Sequence, residues 1–205
     1  MITAYGLYKL TDTTLAFLAS SLLLSFFVVA GPFVGKGYIT HTFRYMFYAM
    51  PWLFAGLSIW AQWAYNPNNV RWFKIDEIVH GRLHLGNEAI MRYGFTPFGT
   101  NITWVGSSFG NLSPKGYNYV DCSYLQIALQ QGYIYLIIVL ALFTLIMIKA
   151  VKEKEYYLMW ITAMVLAFSM SEPRLMNMAF CPFVMIALTR WNIEKQKSYG
   201  KNVRE

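Results

Sequence analysis

Long apolar runs separated by short charged segments dominate the chain, and five of these runs read as membrane-spanning helices. The first, about Thr13–Phe33, is long enough to cross a ~30 Å hydrocarbon core. The second, about Phe43–Tyr65, contains Pro51 and ends in Trp60, Trp63 and Tyr65, aromatics of the kind that sit at a membrane interface. The third runs about Gln131–Ile148 and is the clearest. The fourth, about Tyr156–Ser169, is short, and the fifth runs about Leu175–Trp191. Glu172, Pro173 and Arg174 separate the last two, because a charge at mid-bilayer costs roughly 2.5–3.5 kcal/mol. The pattern predicts an all-α polytopic membrane protein: one membrane domain over 1–205, with a single long loop over 66–130.

Charge sets the expected orientation. Lys36 and Arg44 follow the first run, Lys149, Lys152 and Lys154 follow the third, and Arg190, Lys195, Lys197, Lys201 and Arg204 follow the fifth. With five crossings these all fall on one side, while Lys9 and Arg174 fall on the other. Positive charge gathers on the cytoplasmic side of a membrane, so the C-terminus is expected there and the long loop outside. The first run, preceded by Lys9 and lacking a small-x-small cleavage site, reads as a span rather than a signal peptide.

Composition agrees with a bilayer as solvent. Hydrophobic residues make up 57% and charged residues 13%, against about 25% charged in soluble domains. The net charge of +7 follows from the loop lysines and arginines, so no nucleic-acid partner is expected. Cys122 and Cys181 imply neither a disulfide framework nor a zinc site.

Within the loop, Ile75–Tyr93 reads as an amphipathic helix, with Asp76 and Glu77 in its first turn and Arg92 in its last. Gly81 and Gly86 weaken it, by about 1 kcal/mol each. The stretch 94–119 is rich in Gly, Asn, Ser and Pro and reads as irregular loop. His80 and His84 are spaced as two ligands on one helix face. With the HExxH pattern absent and no third ligand evident, no metal and no cofactor are expected. The sequons at Asn101 and Asn111 are short, common patterns.

Arg82 and Arg92 lie ten positions apart, which on an ideal helix leaves them about 80° apart on one broad side. Two guanidiniums there suit an anionic ligand such as phosphate. The bland alternative pairs Arg92 with Glu88 and leaves Arg82 solvated. Glu172 and Arg174, at the outer end of the fourth and fifth runs, form either a solvated ion pair or part of a site shared with the foot of the loop.

Three stretches carry a resemblance: His80–Ala89 (HGRLHLGNEA) with Arg92–Gly99 (RYGFTPFG), Tyr117–Leu125 (YNYVDCSYL) leading to Gly132, and Ser171-Glu172. Their order and spacing resemble the C-terminal half of the bacterial oligosaccharide repeat-unit polymerases (Wzy type), relatives of the O-antigen ligases. The resemblance covers about residues 71–190. Members of that family usually have more spans in a longer chain, so a truncated or split gene, a C-terminal fragment or a compact variant is the expectation.

The resemblance implies metal-independent glycosyl transfer on the outer face of the bacterial cytoplasmic membrane. The substrate would be a polyprenyl-pyrophosphate-linked oligosaccharide, and other polysaccharide-assembly membrane proteins would be partners. Arg82 and Arg92 would stabilise the pyrophosphate leaving group. His80, His84, Asp121 and Glu172 are candidates for the base, with His80 and Glu172 placed in the catalytic set. His84, Asp121, Tyr117 and Arg174 are assigned to substrate binding, Tyr117 and Trp104 by stacking on sugar rings. An O-antigen-ligase-like transferase and a non-catalytic subunit or remnant binding lipid-linked glycan are the alternatives.

Overall fold

The computed structural model describes residues 41–106, 118–153 and 155–176. The first expected span, nearly all of the fifth, Tyr117 and Cys181 lie outside the described residues. All regular structure in the described part is helical, as expected: α1 (His41–Trp63), α2 (Val70–Ile78), α3 (Arg82–Tyr93), α4 (Ser123–Gln130), α5 (Tyr133–Lys152) and α6 (Tyr156–Phe168).

Three helices form the frame. Near the middle of α1, the Trp52 indole N–H donates to the Thr144 hydroxyl of α5 at 3.0 Å. Phe47, near the start of α1, meets Trp160, near the start of α6, edge to face at 5.2 Å between ring centres. A tight turn, closed by Glu155 N–H to the Ala150 carbonyl at 2.9 Å, sends α6 back along α5. Helix α1 is therefore antiparallel to α5 and runs with α6. Among the described residues α5 is the one helix long and apolar enough to cross a membrane. Helix α1 has the length but is less apolar, and α6 has 13 residues, or about 20 Å of rise.

The described parts of the expected loop 66–130 are more ordered than its composition suggests. Its last eight residues form α4, in which Tyr124, Leu125, Ile127, Ala128 and Leu129 are buried. This short helix packs against α1, α3 and α5, and the Tyr124 hydroxyl donates to the Leu166 carbonyl of α6 at 2.6 Å. Asn87 of α3 donates to the Gln62 and Trp63 carbonyls at 3.0 and 3.3 Å, giving partners to orphan acceptors at the end of α1.

The amphipathic helix expected over Ile75–Tyr93 is two helices. The chain turns at His80 (φ 57°) and Gly81 (φ 77°), a left-handed pair that no α-helix accommodates. Asp76 and Glu77 accordingly lie in the last turn of α2, not the first turn of one long helix. The buried Asp76 carboxylate accepts from the Leu83 and His84 N–H groups at 2.8 and 3.2 Å. It thereby caps α3, and its negative charge sits at the positive end of that helix. Since His80 is outside both helices, the i, i+4 pairing with His84 on one helix face does not form.

The strip 96–100 seats on the corner between α4 and α5. Thr96 and Pro97 carbonyls accept from the Tyr133 and Ile134 N–H groups at 3.1 and 3.4 Å, and Thr100 N–H donates to the Leu129 carbonyl at 3.0 Å. Gly132 permits this approach. Its φ is 98°, and a Cβ there would lie 2.2 Å from the Pro97 carbonyl oxygen. Gly132→Ala is expected to destabilise the fold by about 2 kcal/mol or more, read as a lowered Tm of the detergent-purified chain.

Candidate functional site

Arg82 is the first residue of α3, brought there by the left-handed turn before it and the Asp76 cap. Asp121 ends the extended stretch before α4. Glu172 lies in the turn that follows α6. These three segments converge on one guanidinium. Arg82 Nε lies 3.2 Å from Asp121 Oδ2, Nη1 donates to the Ser171 carbonyl at 2.7 Å, and Nη2 is 3.9 Å from Glu172 Oε1. Arg174 extends the row, with Nε 3.8 Å from Glu172 Oε2. The last two separations are ionic contacts rather than hydrogen bonds.

The Arg82, Asp121 and Glu172 side chains are 22%, 23% and 16% exposed, and Arg174 is 48% exposed. Water therefore reaches the cluster from the Arg174 side. Burial pushes the Asp121 carboxyl above its ordinary value, against the pull of Arg82. Burial does the same to Glu172, against Arg82 and Arg174, with Asp121 adding to the rise. Carboxylates held this way take up protons more readily than solvated ones. A guanidinium carries five N–H donors, and the bonds to Asp121 and Ser171 leave donors over for an anion arriving from the open side.

Three other candidates among the described residues have surroundings of their own. Arg92, in the last turn of α3, is exposed and lies against the Tyr93 ring at 5.7 Å. Ten residues of helical rise put it about 15 Å along the axis from Arg82, so the two do not share a ligand through this cluster. A shared side of the helix does not bring two side chains to one ligand across that rise. The bland alternative is reversed as well, because Arg82 is the ion-paired arginine. His84 is exposed, with its ring edge-on to Tyr65 at 6.0 Å, and His80 is exposed in the turn two residues before Arg82. The Trp104 indole donates to Gln130 Oε1 at 3.0 Å and packs on Tyr93, a structural use of the ring. Among the described residues no group of His, Cys, Asp and Glu is arranged to hold a metal ion. The Ser171 carbonyl, which takes the shortest bond to Arg82, carries no side-chain signal that a sequence could reveal.

No family model, curated protein or solved structure matches this chain.

Arg82→Ala removes the countercharge that two poorly hydrated carboxylates share. The expected cost is about 1–2 kcal/mol, below the fully buried range because water reaches the site, while Arg92→Ala stays within about 0.5 kcal/mol. Thermal unfolding of the two variants side by side checks this contrast. The raised carboxyls also fix a sign. As pH rises from about 4, the unfolded chain gives up these protons before the folded chain does, so stability falls through the window just above the ordinary carboxylate range. In Asp121→Asn/Glu172→Gln, Tm is expected to lose that downward slope.

Proposed function

We propose that this chain is a multi-pass protein of the bacterial cytoplasmic membrane that transfers glycan from polyprenyl pyrophosphate onto a lipid-linked repeat unit, as the repeat-unit polymerases do. The observation that carries the reading is the convergence of Arg82, Asp121 and Glu172. Each comes from a different one of the three stretches that bear the family resemblance.

Several features support the membrane setting. In α5 the buried face is Leu136, Val139, Leu140, Phe143 and Met147, and the opposite face is Ile134, Ile137, Ile138, Leu142 and Leu145, all exposed. A helix apolar all round belongs in a core or a bilayer, and only 33% of the most apolar stretch is buried. Helix α1 buries Ser58 and Gln62 along with Phe47 and Ala55, and leaves Trp52, Leu53, Leu57 and Trp60 exposed. The Ser58, Thr144 and Thr162 hydroxyls all donate to the carbonyl four residues back, which meets the demand of lipid that polar groups be satisfied internally. Trp60 and Trp63 end α1 where Tyr133 and Tyr135 begin α5, while Lys149 and Lys152 mark the other end of α5. An outer aromatic belt and an inner basic edge follow, with the Arg82 cluster on the outer side.

In the proposed reaction an acceptor sugar hydroxyl attacks the anomeric carbon of the donor. The bond from that carbon to the pyrophosphate oxygen breaks, and the hydroxyl proton passes to Glu172 or Asp121. Arg82, with donors left over and little water around it, steadies the charge that develops on the departing pyrophosphate. Arg174, at the open side, meets the incoming diphosphate first.

One observation favours a second reading, a non-catalytic subunit that binds lipid-linked glycan: Arg82 already faces two carboxylates. Complementing a deletion strain separates the two. Arg82→Ala is expected to insert normally yet cut long surface polysaccharide by about 10²-fold or more. Wild-type chain length in that variant would overturn the transferase role of Arg82. Binding of lipid-linked glycan by purified wild type without any transfer would favour the second reading.

A further inference from the structure

Ser123, the first residue of α4, is buried and touches the chain beyond α6 at three points. Its N–H donates to the Ser169 carbonyl at 3.0 Å. Its hydroxyl donates to the Glu172 carbonyl and accepts from the Leu175 N–H at 3.1 Å. The contacts recur at every third residue along the segment that carries Glu172 and Arg174. Arg82 adds its bond to Ser171 between them. Ser123 also stands two residues after Asp121, on the same stretch of chain. One side chain thus sets the spacing between the two carboxylates that face Arg82. A hydroxyl is both donor and acceptor, so no apolar residue of the same size replaces it, and its loss leaves the buried Leu175 N–H without this partner, while the Glu172 carbonyl keeps its bond from the Arg174 N–H at 2.9 Å.

We infer that Ser123 is a positioning residue for the proposed transfer, a clamp that holds the 169–175 turn so that Glu172 stays beside Asp121 and Arg82. The inference rests on the transferase reading for its functional half. Its structural half stands alone. Ser123 is not proposed to touch substrate. Burial lifts the Glu172 carboxyl, and that burial depends on the turn being held down, so opening the clamp hydrates the carboxyl and returns it toward the ordinary range.

The test uses full-length chain in lipid nanodiscs, wild type and Ser123→Ala. Amide hydrogen exchange over 169–176 is expected to quicken by about tenfold or more in the variant, with α1 and α5 unchanged. Transfer from a synthetic polyprenyl-pyrophosphate oligosaccharide is expected to drop by about tenfold, and the acid limb of its pH profile to move to lower pH. Unchanged exchange over 169–176 would overturn the clamp. Faster exchange with an unmoved acid limb and an unreduced rate would overturn the positioning role. If wild type itself transfers nothing, the transferase reading and the functional half of the inference fail together, and the exchange result still decides the structural half.

Discussion

The guanidinium of Arg82 joins the start of α3, the approach to α4 and the turn after α6, stretches separated by dozens of residues in the chain. A buried cation is tolerated only when its charge and its donors are met. Asp121, the Ser171 carbonyl and Glu172 meet them here. The demand runs both ways, since two carboxylates this close, and both poorly hydrated, need a cation between them. The turn at His80 and Gly81 and the Asp76 cap on α3 can be understood as the local geometry that delivers Arg82 to this point.

The helical frame answers to a different constraint. In the proposed membrane setting there is little hydrophobic drive for helices to associate, so close packing and interhelical hydrogen bonds would take over. The Trp52–Thr144 bond between α1 and α5, and the seating of 96–100 on the first turn of α5, are contacts of that kind. Under the proposed reading the exposed Ile and Leu side chains of α5 face acyl chains and require no protein cover. The same reading accounts for α1, which buries Ser58 and Gln62 and leaves Trp52, Leu53, Leu57 and Trp60 exposed.

Sequence alone reveals the helical class and the apolar stretch of α5, because both rest on composition and long runs. It also reveals Arg82, Asp121 and Glu172 as separate candidates. It does not reveal that they meet, which depends on the path of α4 back to α6. The break at His80–Gly81 escapes a periodicity argument, since the apolar positions on either side still fit one helix. Arg92 fails for a complementary reason: angle around a helix is legible in a sequence, but about 15 Å of rise decides whether two side chains can share a ligand. The bonds to the Ser169, Ser171 and Glu172 carbonyls are invisible because backbone acceptors have no residue type.

In the proposed function the Arg82 cluster transfers glycan at a membrane surface. The most direct measurement reconstitutes the purified chain in liposomes with a synthetic polyprenyl-pyrophosphate oligosaccharide and a chelator, and follows glycan length and polyprenyl-pyrophosphate release together. The proposed transferase role of Arg82 requires matched extension and release by wild type, and neither by Arg82→Ala inserted to the same level. Equal extension by wild type and Arg82→Ala, or none by wild type that binds the substrate, would contradict it.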